Sequence, residues 1–599
     1  MEYRKDIQML RGVAVLLVVF FHLEIAGFNS GFLGVDVFFV ISGYLMAVMY
    51  DPLEKAKFFV KRARRLLPAY ITVVIATLLI AMIVTTPNEY DQVSNQAVFA
   101  TFFASNIGFW MENSYFSKGS FKPLLHLWSL GVEIQFYLLI PFLYWVFKKF
   151  KISFLLILSV SALFCFVVIS FSPKTVFFWL PFRMWQFLIG FGVAKYIYNG
   201  WRNRNSILSW LGAASLVVII CIPLINIDGA QREFVRGHPG LAALIISIAT
   251  AIIVSFGIPK IIEENLISNF LERTGRYSYS IYLAHFPVIV LFLYEPFSGT
   301  VLKTESLGQT VVLIVLVICA SSILFRFVEQ PLRSVDKGVH WTIASAIIGL
   351  LVWSVGVTVQ KTLIPEKEML VYQAMEDKSK FRCGRMIRIL NPGAVSCETT
   401  GNIQSPVHRV LLVGNSHANS IKSTFSSVAQ SHDVAVHFIV DNYPLMRGGI
   451  TPQRLFEEAT EKRIDAIVLH YSEGVLDQLD INQLAMLAKE KQIQLSFIMP
   501  VPVWDEHVPK MLIENMKGEG GMLSQSIDDY QSLHRALIAD LIKVDYESFR
   551  IYQIADIFCR PKCQLISSVG RPLYYDGHHL TLTGSEMIRK IFTRIILDL

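Results

Sequence analysis

The chain has 599 residues, 53% of them hydrophobic and only 17% charged, with a formal net charge of +7. Soluble domains carry about a quarter charged residues, so an ordinary cytosolic enzyme is excluded. The 43 Phe, 22 Tyr and 10 Trp exclude a solvated, disordered chain. The charge is uneven: residues 1–360 hold 28 Lys and Arg against 19 Asp and Glu, whereas residues 361–599 hold 26 against 28. Excess basic charge placed between apolar segments suits a membrane domain and not a nucleic-acid-binding face. The balanced second part has the composition of a soluble domain.

Apolar stretches of about 20 residues can cross a bilayer. They are predicted at 7–26, 31–50, 69–87, 127–147, 152–172, 175–198, 207–226, 240–257, 277–296, 309–328 and 341–360. No small-residue cleavage site follows the first, and a second span comes almost at once, so it is not a cleaved signal peptide. With a cytoplasmic N-terminus, the inside segments hold 20 Lys and Arg and the outside loops 6, the expected positive-inside asymmetry. An odd number of spans then puts residues 361–599 outside the cytoplasm. Cys165, Cys221 and Cys319 fall in spans, as small core residues. Cys383, Cys397, Cys559 and Cys563 lie in the second part, an even number that suits two disulfides in an oxidising compartment. Four cysteines allow three connectivities; the two pairs of sequence neighbours are expected, with reduced thiols as the alternative. Cys559-x3-Cys563 has no second ligand pair nearby, so zinc is not expected there.

Ionisable groups inside a bilayer are costly and mark functional candidates. Arg11 and His22 share the first span, eleven residues apart, which puts them within about 20° of one helix face and about 16 Å apart along it. Asp36 follows in the second span and Glu133 in the fourth, and the four groups together point to a polar pathway or active site. The run Lys61-Arg62-Ala63-Arg64-Arg65 reads either as a topology signal beside anionic lipid or as a phosphate site, since Arg grips phosphate in bidentate fashion.

These residues carry a resemblance. Arg11-x10-His22, Gly34-Val35-Asp36-Val37-Phe38-Phe39-Val40-Ile41-Ser42-Gly43-Tyr44, the Arg-rich run ending in Leu67-Pro68-Ala69-Tyr70, and Pro123-Leu124-Leu125-His126-Leu127-Trp128-Ser129-Leu130-Gly131-Val132-Glu133 resemble the acyltransferase 3 family. So do Tyr277-Ser278-Tyr279-Ser280-Ile281-Tyr282-Leu283-Ala284-His285 and Phe327-Val328-Glu329-Gln330-Pro331. Ala284 stands where a bulky aromatic is common. The resemblance, over residues 1–335, implies a multi-span enzyme that moves an acyl group, commonly acetyl from acetyl-CoA, to a carbohydrate outside the cytoplasm. It implies His22 as the catalytic histidine, Glu133 as the membrane carboxylate, and Arg11, Arg62, Arg64 and Arg65 on the CoA side. A buried histidine can act there as a base or carry the acyl group itself.

From about residue 407 the pattern becomes α/β. Val407–Val413, Arg463–His470 and Gln494–Pro500 read as strands, with helical stretches near 451–462 and 480–491, which together predict a parallel sheet covered by helices. Gly414-Asn415-Ser416 puts a Ser at a strand-to-helix turn, at the carboxyl edge where ligands bind in open α/β sheets. That Ser reads as a helix N-cap or as a nucleophile beside amides that stabilise an oxyanion. Asp576-Gly577-His578-His579 supplies a carboxylate and an imidazole three residues apart, the partners of a Ser-His-Asp arrangement. Over residues 405–599 these blocks resemble the SGNH hydrolase superfamily. The resemblance implies Ser416 as nucleophile, His579 as base and Asp576 as its orienting acid. Gly448-Gly449 are candidates for the oxyanion glycine. No Gly-x-Asn-Asp follows the strand ending near His470; Tyr471-Ser472-Glu473-Gly474 stands there instead.

The expected architecture is thus an α-helical membrane domain of about 10–11 transmembrane helices (1–335), a further helix and connector (336–404), and a C-terminal α/β SGNH-like domain (405–599). The fusion resembles bacterial O-acetyltransferases of surface polysaccharide such as lipopolysaccharide O-antigen. It implies a multi-pass protein of the bacterial inner membrane whose C-terminal domain is periplasmic or extracellular. Its partners would be acetyl-CoA as donor, a surface polysaccharide or lipid-linked glycan as acceptor, and membrane lipid, with no metal cofactor and no nucleic acid. Two alternatives stay open. Gram-positive peptidoglycan O-acetyltransferases share this architecture, and an SGNH esterase could be coupled to a membrane transporter.

Overall fold

Runs of Leu, Ile, Val and Phe with few interior breakers fold as helices through the first part of the chain. The computed structural model describes residues 3–599 apart from 113–119, 151–152, 198–206, 230, 232, 335–343, 345–346, 350, 352–354, 357, 359–361, 363, 380–394, 402, 440–449, 473, 477 and 522–523. The chain divides into two units, 1–360 and 361–599.

In the first unit the helices are α1 (Lys5–His22), α2 (Gly34–Met49), α3 (Lys55–Val84), α4 (Pro87–Thr101), α5 (Ser105–Met111), α6 (Leu127–Lys149), α7 (Ser153–Val168), α8 (Pro173–Phe178), α9 (Leu180–Gly192), α10 (Ile207–Cys221), α11 (Leu241–Phe256), α12 (Lys260–Glu263), α13 (Leu266–Phe292) and α14 (Leu307–Ile323). Each of the first ten expected spans overlaps one of them; the last, 341–360, lies largely outside the described residues. Five helical segments among the described residues are long and apolar enough to cross a membrane by length and composition. α1 and α13 belong to the bundle but carry Asp6 and Arg11, and Glu272, Arg273 and Arg276, which lower their hydropathy. The basic run 61–65 is not a loop before a span, because α3 begins at Lys55 and carries it.

Two helix pairs cross at glycine. A Cβ on Gly12 would lie 2.1 Å from the Leu271 carbonyl oxygen, and one on Gly275 only 1.8 Å from that of Gln8, so α1 and α13 touch backbone to backbone. α2 and α9 meet in the same way, with Gly43 facing Phe187 and Gly190 facing Val40, each 1.9 Å from carbonyl oxygen. Small residues permit such approaches between membrane helices. Buried charge is paired between helices. Asp36 meets Arg183 at 3.0 Å and His238 at 2.8 Å, all three fully or almost fully buried. Removing one partner from such a pair leaves a buried charge uncompensated and costs about 3–5 kcal/mol.

The second unit holds a six-stranded sheet in the order β1-β3-β2-β4-β5-β6. β2 (His408–Gly414), β3 (Val434–Ile439), β4 (Ala466–His470), β5 (Gln494–Ile498) and β6 (Phe549–Tyr552) run parallel, and β1 (Ser396–Glu398) joins the edge antiparallel to β3. The sheet therefore begins before the expected boundary at 405. The division between units at 360 falls within the expected helix-and-connector region 336–404. Residues 410–413 and all of β4 are buried, as central parallel strands covered on both faces require. Cys559 and Cys563 form a disulfide and Cys397 is disulfide-bonded, while Cys383 lies outside the described residues. Cys165 is buried as expected, whereas Cys221 and Cys319 are exposed on their helices and are not core residues.

The crossing of α1 and α13 leaves no room for a methyl group. Gly275→Ala is expected to destabilise the purified full-length chain by about 1–3 kcal/mol, read as a lower melting temperature in detergent; an unchanged melt would show that the helices can part without cost.

Candidate functional site

Among the described residues, each unit holds a cluster of reactive groups. In the membrane unit a narrow cavity is lined by Arg11, Ser42, Arg62, Arg65, Glu133 and Tyr282, among others. The Glu133 carboxylate accepts hydrogen bonds from Ser42 and Tyr137. The Arg62 guanidinium lies over the Tyr137 ring, 5.9 Å from its centroid. Arg64 is not a lining residue. Residues three apart on a helix share a face, whereas Arg64 is turned about 200° from Arg62. The cavity thus combines cationic, carboxylate and hydroxyl groups in an otherwise apolar surround, which fits an anionic, partly apolar ligand.

His22, the last residue of α1, is not a lining residue either. It sits in a group of buried histidines. Its Nδ1 is 3.1 Å from Nε2 of His285, and His126 packs against His285 with ring centroids 5.6 Å apart. The hydrogen bonds fix the protons. His285 Nδ1 lies 2.8 Å from the Tyr282 carbonyl oxygen and 3.1 Å from that of Ile281, so it carries the proton. His285 Nε2 is then the acceptor and His22 Nδ1 donates to it; His22 also hydrogen-bonds the Val18 backbone. Tyr282 links this group to the cavity: its hydroxyl meets Ser129 Oγ at 2.6 Å and donates to the His126 carbonyl oxygen at 3.0 Å. Asp36 does not join this pathway, since its carboxylate is taken up by Arg183, His238 and Gln186.

In the second unit the sequence builds the site in three steps. β2 ends at Gly414, where a Cβ would lie 2.0 Å from the His470 carbonyl oxygen on neighbouring β4, so only glycine allows the two strands to approach here. Asn415 caps the helix Ser416–Gln430, its side chain accepting the His417 N–H. Ser416 is therefore the first helical residue and not the cap, which leaves its hydroxyl for other work. That hydroxyl is 2.6 Å from His579 Nε2, and His579 Nδ1 is 2.7 Å from Asp576 Oδ2. The other carboxylate oxygen accepts the backbone N–H groups of His578 and His579 at 2.9 and 2.8 Å. Burial pushes the Asp576 carboxyl up, but the hydrogen bond and charge of His579 and the His578 N–H outweigh it and hold it at about 2. The ionised carboxylate fixes the proton on His579 Nδ1, so Nε2 accepts the Ser416 proton. This is the geometry of a base-activated nucleophile.

The expected pairs Arg11 with Arg62, Arg65 and Glu133, and Ser416 with Asp576 and His579, are thus each brought together; His22 and Arg64 lie off the cavity wall. Gly448 and Gly449 lie outside the described residues. After β4, Ser472 accepts a hydrogen bond from Asn415 Nδ2 at 2.8 Å, which ties the nucleophile turn to the segment that lacks the expected Gly-x-Asn-Asp. Sequence reasoning gave no role to His126 and His285, although both sit in the quoted motifs, or to His417, the neighbour of Ser416.

Two substitutions probe these arrangements. Asp576→Asn should cost about 10⁴-fold in ester turnover by the purified chain, because the amide favours the wrong imidazole tautomer. His285→Ala should lower acyl transfer roughly 10²-fold, the low end of what a positioned base contributes, whereas His285→Gln, whose carbonyl can accept from His22, should recover part of it. Equal rates for the two His285 variants would rule out tautomer control.

Comparison with known proteins places both units. Residues 4–326 match the acyltransferase 3 family model, described as an acyltransferase domain, and residues 384–594 match the SGNH domain found fused to such domains. A putative O-acetyltransferase of Staphylococcus aureus, SAR0937, is 27% identical over 71% of this chain and 76% of its own length. The O-acetyltransferase OatA of the same species is 30% identical over 55% of this chain and 57% of its own length, so the matched part spans little more than half of that relative. The periplasmic domain of a Salmonella ser. Paratyphi A lipopolysaccharide acetyltransferase aligns with 39% of this chain and 98% of its own, at 17% identity and a TM-score of 0.28. Because the first family match covers more than half of the sequence, the chain belongs to the acyltransferase 3 family, as a multi-pass membrane acyltransferase fused to an SGNH domain.

Proposed function

We propose that the protein moves an acetyl group from cytoplasmic acetyl-CoA across the bacterial inner membrane to a hydroxyl of a cell-surface polysaccharide such as lipopolysaccharide O-antigen, with the SGNH domain acting on the periplasmic side. The observation that carries the reading is the Ser416–His579–Asp576 geometry, with separations of 2.6 and 2.7 Å, in one chain with a membrane acyltransferase domain. Arg11, Arg62 and Arg65 suit the phosphates of CoA, and the His22 imidazole suits either a base or an acyl carrier for the thioester. The SGNH step balances as follows. Ser416 Oγ attacks the delivered acyl carbonyl and its proton passes to His579 Nε2, which gives it to the departing group. The glycan hydroxyl then attacks the acyl-serine and loses its proton to His579, which returns it to Ser416 Oγ. Membership of an acyltransferase family favours chemistry in the membrane unit over transport alone.

A second acceptor, peptidoglycan, is favoured by the Staphylococcus aureus relatives together with the sequence's likeness to Gram-positive peptidoglycan O-acetyltransferases. One experiment separates the readings: alkali-labile O-acetyl measured by mass spectrometry on purified polysaccharide and on peptidoglycan, in wild type, His22→Ala, Ser416→Ala and a deletion strain. The proposal expects acetyl on polysaccharide in wild type and its loss in both point variants at unchanged protein level. Acetyl lost from peptidoglycan instead selects the second acceptor. A rise in Ser416→Ala would make the SGNH domain an esterase.

A further inference from the structure

Three histidines meet beside the nucleophile, and the Ser–His–Asp step uses one of them. His417, His578 and His579 each offer a ring nitrogen, and the three nitrogens lie within 4.8 Å of one another. His417 is 2% exposed and its Nδ1 has no hydrogen-bond partner. An unpartnered polar atom in a buried position is costly unless something occupies it. Its ring stacks on that of His578 at 5.6 Å and faces that of His579 at 4.9 Å. His578 has a half-exposed side chain, so it can turn.

We propose that this cluster is a binding site for a divalent transition-metal ion of the Zn²⁺ class, and that the ion switches the SGNH site off. Zn²⁺ takes imidazole nitrogens at about 2.0–2.1 Å, which sets neighbouring ligand atoms about 3.4 Å apart in a tetrahedron. The three nitrogens, all within 4.8 Å of one another, reach that spacing by modest side-chain rotations, of the half-exposed His578 above all, with water at the fourth position. Asp576 behind His579 is the carboxylate that metal-bound imidazoles commonly have as a second partner. Because Asp576 holds His579 Nδ1, the nitrogen left for the ion is Nε2, the same atom that must accept the Ser416 proton. Metal binding and activation of Ser416 are therefore mutually exclusive. The ion is an inhibitor and takes no part in the reaction.

The proposal rests on the reading of His579 as the base, so the test has one readout that depends on that reading and one that does not. Full-length protein in detergent is titrated with Co²⁺ as a spectroscopic probe. Wild type and Ser416→Ala should show visible d–d absorption that Zn²⁺ displaces, and His578→Asn and His417→Asn should lose it. Separately, buffered Zn²⁺ should inhibit ester hydrolysis by wild type, with full recovery on adding EDTA. Measured against its own metal-free rate, His578→Asn should need roughly tenfold more Zn²⁺, or beyond, for half inhibition. Absorption that persists unchanged in His578→Asn, or the same Zn²⁺ midpoint in that variant and wild type, would overturn the proposal. If wild type shows no turnover at Ser416, the catalytic reading fails while the cobalt spectrum still decides the metal site.

Discussion

The membrane unit depends on one close approach of two backbones. Gly12 on α1 and Gly275 on α13 each sit where a single methyl would collide with a carbonyl oxygen of the other helix. That contact fixes the separation and rotation of the two helices that carry the histidine pair. His22 ends α1 and His285 lies on α13, and a hydrogen bond of 3.1 Å between their rings requires both to be positioned within a few tenths of an ångström. The same helix turns Arg11 toward the cavity. In a low-dielectric interior, fully satisfied hydrogen-bond chains are strong and unpaired groups are costly. A neutral network of imidazole, hydroxyl and backbone carbonyl is an inexpensive way to hold a reactive nitrogen there.

The SGNH unit solves a related problem with different parts. Its glycine brings two strands together, its asparagine caps the helix, and the nucleophile is the residue after the cap. Here the imidazole is oriented by a carboxylate, Asp576, held ionised by two backbone N–H groups and an imidazole. One imidazole is thus oriented by another imidazole and the other by an anion.

Much of this was legible from particular residues. The run Val410–Val413 marks a buried strand because both faces of it are covered. Asp576 and His579 are three apart, so a single turn orients one toward the other, and Ser416 at a strand-to-helix turn completes the set. What was not legible depended on contacts distant in sequence or on helical phase. Asn415 and Ser416 both favour an N-cap, and only the backbone shows which takes it. Asp36 looked like part of the catalytic pathway because its partners, Arg183 and His238, lie 147 and 202 residues away. The start of α3 was hidden because Lys and Arg are good helix formers that a hydropathy reading counts as loop. The family resemblance groups Arg64 with Arg62 and Arg65, although 100° per residue turns it to another face. β1 is three residues long, too short for any periodicity to show.

The central claim is that one acyl group passes through both units, with Ser416 as the last covalent stop. It is tested most directly by peptide mass spectrometry of full-length protein in membranes supplied with isotope-labelled acetyl-CoA and no acceptor. The account predicts labelled acetyl on Ser416 in wild type and none in His22→Ala. Labelling of Ser416 that survives His22→Ala, or acetyl transfer to glycan that continues in Ser416→Ala, would contradict it.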